Sequence, residues 1–125
     1  MIDKFASKYG NHLYLIFRVL IGLVFFMHGA QKLLGWFGGN AVQAFGMFWW
    51  AGLIEVVVGV LLIIGFLTRW TAALGAVEMA FAWFIMHVPR GWNPLANGGE
   101  AALLFFAAFL AIVAKGAGKW AVDKK

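Results

Sequence analysis

The sequence contains no cysteine. That absence excludes disulfides, thiolate metal centres and thiol relays, so any electron chemistry must come from a bound cofactor or a partner subunit. Proline occurs only twice in 125 residues, and charged residues make up 12%, about half the share in an average soluble domain. Alongside this scarcity stand 64% hydrophobic and 18% aromatic residues. Such a composition excludes a disordered or collagen-like chain, and it is too apolar for a protein soluble on its own. The length allows one domain at most.

Basic residues outnumber acidic ones ten to five. The excess does not form a basic helix face with interleaved aromatics, as a nucleic-acid surface would. It gathers instead at the two ends, at Lys4 and Lys8 and at Lys115, Lys119, Lys124 and Lys125. Charge placed this way orients a membrane chain and argues against a nucleic-acid partner. The apolar run after Lys8 is longer than a signal-peptide core and has no Ala-x-Ala site, so it is read as a retained span.

About 20 helical residues cross the hydrocarbon of a bilayer. Four segments are predicted to do so, at 13–34, 47–67, 71–88 and 99–115, giving an all-α bundle of four transmembrane helices. Gly35, Gly38, Gly39 and Asn40 break the chain after the first, Thr68-Arg69 forms the inner turn, and Pro89, Gly91, Asn93 and Pro94 stop the third. With four spans both termini lie on one side, expected to be the cytoplasmic side of the plasma membrane. That side holds Lys4, Lys8, Arg69 and the C-terminal lysines, against Arg90 on the other.

Inside these runs stand Arg18, His28, Lys32, Glu55 and Glu78. A charge near the bilayer centre costs roughly 2.5–3.5 kcal/mol on insertion scales, so each marks a polar site between helices. Gly52, Glu55 and Gly59 share one stripe of the second span, and Gly75, Glu78 and Ala82 repeat that arrangement on the third. Small residues let helices approach closely in lipid, so both carboxyls are expected to face the bundle.

By depth, Arg18 is expected to form a structural ion pair with Glu78 in the inner half, about 8–11 Å from the boundary. His28, Lys32, Glu55, His87 and Glu100 fall in an outer layer, the candidate site. Glu55 is expected to pair with Lys32 or His28, or to be held neutral. His87 lies nine positions after Glu78 and points to the opposite face of an ideal helix. Asn97-Gly98-Gly99-Glu100 fits a capping box opening the fourth span. Histidines at 28 and 87 lack the spacing of a metal motif.

These motifs, in this order, resemble the DoxX family of small four-helix membrane proteins over nearly the whole chain. The likeness rests on Arg18 with Gly22, on His28-Gly29-Ala30-Gln31-Lys32-Leu33, on Glu55-Val56-Val57-Val58-Gly59 and on Gly65-Phe66-Leu67-Thr68-Arg69. His87, Asn97-Gly98-Gly99-Glu100 and Gly116-Ala117-Gly118-Lys119-Trp120 with Asp123 complete it. In the last motif Ala117 and Ala121 stand where the family often shows proline and serine. The resemblance implies respiratory or oxidative-stress membrane chemistry linked to quinone, with a partner redox subunit or a homo-oligomer.

On that reading His28 and Glu55 supply proton exchange, and Lys32 stabilises the oxyanion of the reduced ring. Trp36, Trp49, His87 and Glu100 complete the quinone site, with Trp36 or Trp49 stacking on the ring. A membrane scaffold for redox partners without its own catalysis comes second, and a small proton or solute transporter third.

Overall fold

The computed structural model describes residues 1–123, which are helical with no strand among them. Lys124 and Lys125, part of the expected cytoplasmic cluster, lie outside the described residues. The order is α1 (Ile2–Leu34), α2 (Met47–Ile64), α3 (Thr68–Ala82), α4 (Pro94–Asn97) and α5 (Glu100–Lys115). Between α3 and α4 the chain continues through a π-helical turn (Trp83–His87) and a 3₁₀ turn (Val88–Arg90).

Three helical stretches are long and apolar enough to cross a membrane: Ile2–Leu34, Met47–Ile64 and Thr68–Arg90. The fourth predicted span corresponds to α5, whose 16 residues extend about 24 Å, short of a hydrocarbon core of about 30 Å. The five-helix count exceeds the expected four because residues 94–97 form an extra turn with Asn93 as its N-cap, Asn93 Oδ1 accepting from Leu95 N at 3.0 Å. Large apolar side chains remain exposed along each long helix, among them Ile16, Leu20, Val57, Val60, Val77 and Phe81. That is a surface for lipid, and the molecule is a helical membrane protein.

The helix ends follow local chemistry. Gly35 (φ 72°) closes α1, and its N–H bonds Gln31 O at 3.0 Å. Gly65 (φ 72°) closes α2 in the same left-handed way. The inner turn is then residues 65–67, and Thr68-Arg69 opens α3 rather than forming the turn itself.

Glycine sets the packing of α1 on α2. A methyl at Gly29 would stand 2.6 Å from both Gly52 O and Val56 N, and one at Gly59 would stand 2.6 Å from Gly22 O and Phe26 N. No side chain fits there, so the two backbones touch. Gly75 likewise admits the ring of Phe109, 2.8 Å from where its methyl would be, and so brings α5 against α3. The core between the two helix pairs contains Phe25, Val58, Leu62, Met79, Phe105, Phe109 and Ile112. Phe25 meets the edge of Phe109 at 4.8 Å between centroids.

The end of the bundle that carries the α2–α3 turn and the C-terminal tail is tied by Arg18, which is fully buried. Its guanidinium donates to the carbonyls of Leu62 (2.9 Å) and Ile63 (3.3 Å) at the end of α2. In the C-terminal tail it donates to Ala117 (2.5 Å), Lys119 (3.2 Å) and Trp120 (3.1 Å). All five donors are thereby used, and the expected Arg18–Glu78 pair does not form. The tail holds further: Tyr14 Oη donates to Gly116 O at 2.6 Å, and Asp123 accepts from Leu67 N (2.7 Å) and Thr68 N (2.8 Å) at the start of α3. Burial raises the Asp123 carboxyl. The hydrogen bonds from Thr68 and Leu67, aided by the Arg18 charge, outweigh that and hold it below its usual value.

Candidate functional site

The close approach of α1 and α2 fixes the centre of the site. Gly52 lies under the stem of Lys32, whose Cβ would be 2.8 Å from a methyl at that position. The lysine therefore runs across α2 and places Nζ 2.6 Å from Glu55 Oε1. The Glu55 side chain is 3% exposed and that of Lys32 27%, so the pair has one buried member and one facing a cavity. Of the two partners the sequence allowed for Glu55, this one is present.

Glu78 belongs to this cluster rather than to Arg18. Because α3 begins at Thr68, Glu78 stands about 15 Å along it, level with Glu55 about 13.5 Å before the end of α2. Its side chain lines the same cavity as that of Glu55. Its buried Oε1 has no hydrogen-bond partner. Carboxylates only accept, so the two groups can bond each other only by sharing a proton. One shared proton and the Lys32 ammonium would make the trio electrically neutral, the state that a site surrounded by hydrocarbon favours.

His28 sits one helical turn before Lys32, edge-on to Phe105 at 5.5 Å. His87 reaches the same cavity although nine residues of ideal helix would turn it away from Glu78. The π-helical turn Trp83–His87 takes up about one extra residue, rotating the following chain by about 100°. Its Nδ1 then lies 3.1 Å from Asn97 O. Asn97 is itself buried, with Nδ2 donating to Gly91 O at 2.8 Å and Oδ1 accepting from Gly99 N at 2.7 Å. Of the expected Asx-type capping box the Asx turn at Asn97 forms, but the cap does not: α5 starts from Gly99 with no side-chain cap, and Asn97 ends α4.

These groups open onto a cavity of about 500 Å³, within the range of small-molecule sites. His28, Lys32, Glu55, Glu78 and His87 all line it. Its remaining walls are apolar, chiefly Phe25, Met79 and Phe105 below and Trp50 and Phe81 at the rim. Three residues expected here lie elsewhere. Trp36 packs on Phe37 in the exposed 35–46 loop, and Trp49 packs on Phe45 and Trp50. Glu100 is exposed in the first turn of α5, outside the cavity lining. Trp50 was missed because either tryptophan of the Trp49-Trp50 pair satisfies an interfacial reading. The Phe25 wall had a signal in its position three residues before His28 on the same face. Among the described residues no cluster of three His, Asp or Glu side chains has the arrangement of a metal site.

Fold and site thus define a helical membrane protein with an acid–lysine cluster in an apolar cavity. The DoxX family model matches residues 13–88, and the chain belongs to the DoxX family. Two proteins of Haemophilus influenzae, both described only as uncharacterized, are similar along most of their length. One is 41% identical over 95% of this chain and 94% of its own, the other 30% identical over 87% and 80%. No solved structure matches the chain.

Proposed function

We propose that this chain is a four-span subunit of a quinone-linked redox system in the plasma membrane. On this reading α5 is the fourth span and the N-terminus and the tail are cytoplasmic. The site binds a quinone, or a similar small apolar ring, in the cavity between the helix pairs and exchanges protons with it. The observation that carries the reading is Glu78 Oε1, buried without a partner beside the Lys32–Glu55 pair in an otherwise apolar cavity. A buried acceptor in that state leaves a place for a hydrogen-bonding ligand group, and the residues around it fit a flat ring bearing oxygens.

A bound quinone would supply two-electron, two-proton chemistry. The chain's part is to hold the ring and handle protons. Glu78 offers the proton shared with Glu55, and Lys32 keeps the charge of that pair balanced. His28 lies within the same cavity as a second hydrogen-bonding group. Phe25, Phe105 and Met79 exclude water and give the ring an apolar bed. Without cysteine, electrons reach the site from a partner subunit or a small reductant.

Purification in mild detergent, solvent extraction and mass spectrometry test the reading. Stoichiometric quinone in the unaltered protein, lost in Glu78→Gln and in His28→Ala, is the expected result. A protein that arrives empty and binds no added short-chain quinone removes the redox reading and leaves a scaffold.

A further inference from the structure

The cavity is closed at its base. Phe25, Glu55, Met79, Ala102 and Phe105, each less than 9% exposed, form the base. Residues 88–99 follow His87, are held to it and to one another, and contribute Gly98 to the lining. Asn97 bonds Gly91 O and Gly99 N, its carbonyl meets His87, and Gly99 packs on the rings of Trp83 and His87.

The large exposed apolar side chains of the rim come from two places only. Met47, Phe48 and Trp50 belong to α2, and Phe81 and Ile85 belong to α3 and its π-helical turn, at 41–60% exposed. Between them stand the methyls of Ala51 and Ala82, both half-buried, with Ile54 and Met86 beside them. An aqueous mouth would carry polar residues. This one is apolar on both sides and lies on the flank of two membrane-crossing helices.

We infer that the cavity loads sideways from the hydrocarbon, between α2 and α3 past Ala51 and Ala82. Its ligand is accordingly an amphiphile, a polar ring head carrying a long isoprenoid or alkyl chain. The head sits against Glu78 and Lys32, and the chain stays in the cleft and continues into the bilayer. This rests on the ring-binding reading for the head, while the portal stands on the exposure pattern alone. Lateral loading spares the ligand the cost of crossing water with its apolar chain exposed.

The absence of cysteine makes a direct test possible. Single variants Ala51→Cys, Ala82→Cys, Val57→Cys and Asn40→Cys are spin-labelled and reconstituted in phosphatidylcholine bilayers. Collision rates are then measured with oxygen, which partitions into lipid, and with a water-soluble nickel chelate. Labels at 51 and 82 are expected to match the lipid-facing Val57 site, with an oxygen-to-nickel ratio several-fold above the Asn40 site. Adding a long-chain quinone is expected to lower oxygen collisions at 51 and 82 and leave Val57 unchanged. A tail-less quinone of the same ring leaves both unchanged.

Nickel collisions at 51 and 82 equal to those at Asn40 would mean a mouth open to water and would overturn the portal. Equal effects of the tailed and tail-less compounds would overturn the amphiphile. If neither quinone binds in the extraction assay, the ring-binding reading fails, and the oxygen-to-nickel ratio still decides the portal.

Discussion

Replacing Lys32 with methionine and Glu55 with glutamine should have very unequal effects. The asymmetry follows from exposure, 27% for the Lys32 side chain and 3% for that of Glu55. In Lys32→Met the Glu55 carboxyl stays in place, with Glu78 as its nearest polar group and no cation to balance it. Removing one partner of a buried pair costs about 3–5 kcal/mol. In Glu55→Gln the lysine keeps its stem along α2 and its ammonium turns into the cavity, toward Glu78 or the outer interface. That loss is about 1 kcal/mol, near the worth of one hydrogen bond. The double variant leaves no charge of the pair behind and should be more stable than Lys32→Met alone. The readout is unfolding in mixed detergent micelles followed by tryptophan fluorescence, for wild type, both single variants and the double variant at one pH. Equal losses in the two single variants, or a double variant at their sum, would refute the reasoning, because either result means Glu55 does not depend on Lys32.

Gly59→Leu should separate α1 from α2, since even its Cβ would meet Gly22 O at 2.6 Å. Overpacking of this kind costs about 1–3 kcal/mol, read as a lower melting temperature, and a wild-type melt would show that the backbones do not touch. Arg18→Lys should behave nearly as badly as Arg18→Met, because three ammonium donors cannot reach five carbonyls arranged for a guanidinium. Rescue by lysine in the same melt would show that charge alone matters. Asp123→Asn should cost about 0.5–2 kcal/mol, the range of a lost helix N-cap, with a pH signature. The folded Asp123 carboxyl lies below its unfolded value, so its contribution is complete above about pH 4 and lost as pH falls through the depressed value. The difference between wild type and Asp123→Asn should therefore close in acid, and a difference independent of pH down to that range would count against the tail contact.

Much of the helical layout was legible because apolar length and glycine position are written directly in the chain. The left-handed closures at Gly35 and Gly65 sit where the sequence marks them, and the Gly52, Glu55, Gly59 stripe does face α1. What sequence could not supply was register. A three-residue earlier start of α3 moved Glu78 from the level of Arg18 to that of Glu55. One π-helical turn swung His87 into the cavity. Neither the two-carboxyl cluster nor its missing hydrogen-bond partner follows from composition, because both depend on how far one helix slides along another. The partners of Arg18 were hidden for a different reason. They are backbone carbonyls, which every residue possesses and no side-chain pattern reveals.

That last feature bears on how the protein is made. Arg18 lies in the first span, and the carbonyls of Ala117, Lys119 and Trp120 follow it by 99 to 102 residues. During synthesis the arginine must wait through the insertion of every later helix before these three partners emerge. Until then only the Leu62 and Ile63 carbonyls at the end of α2 are present to accept from its guanidinium. A chain interrupted before residue 117 would leave three of the five guanidinium bonds of its first helix unmade, which sets it apart from one that has reached its tail.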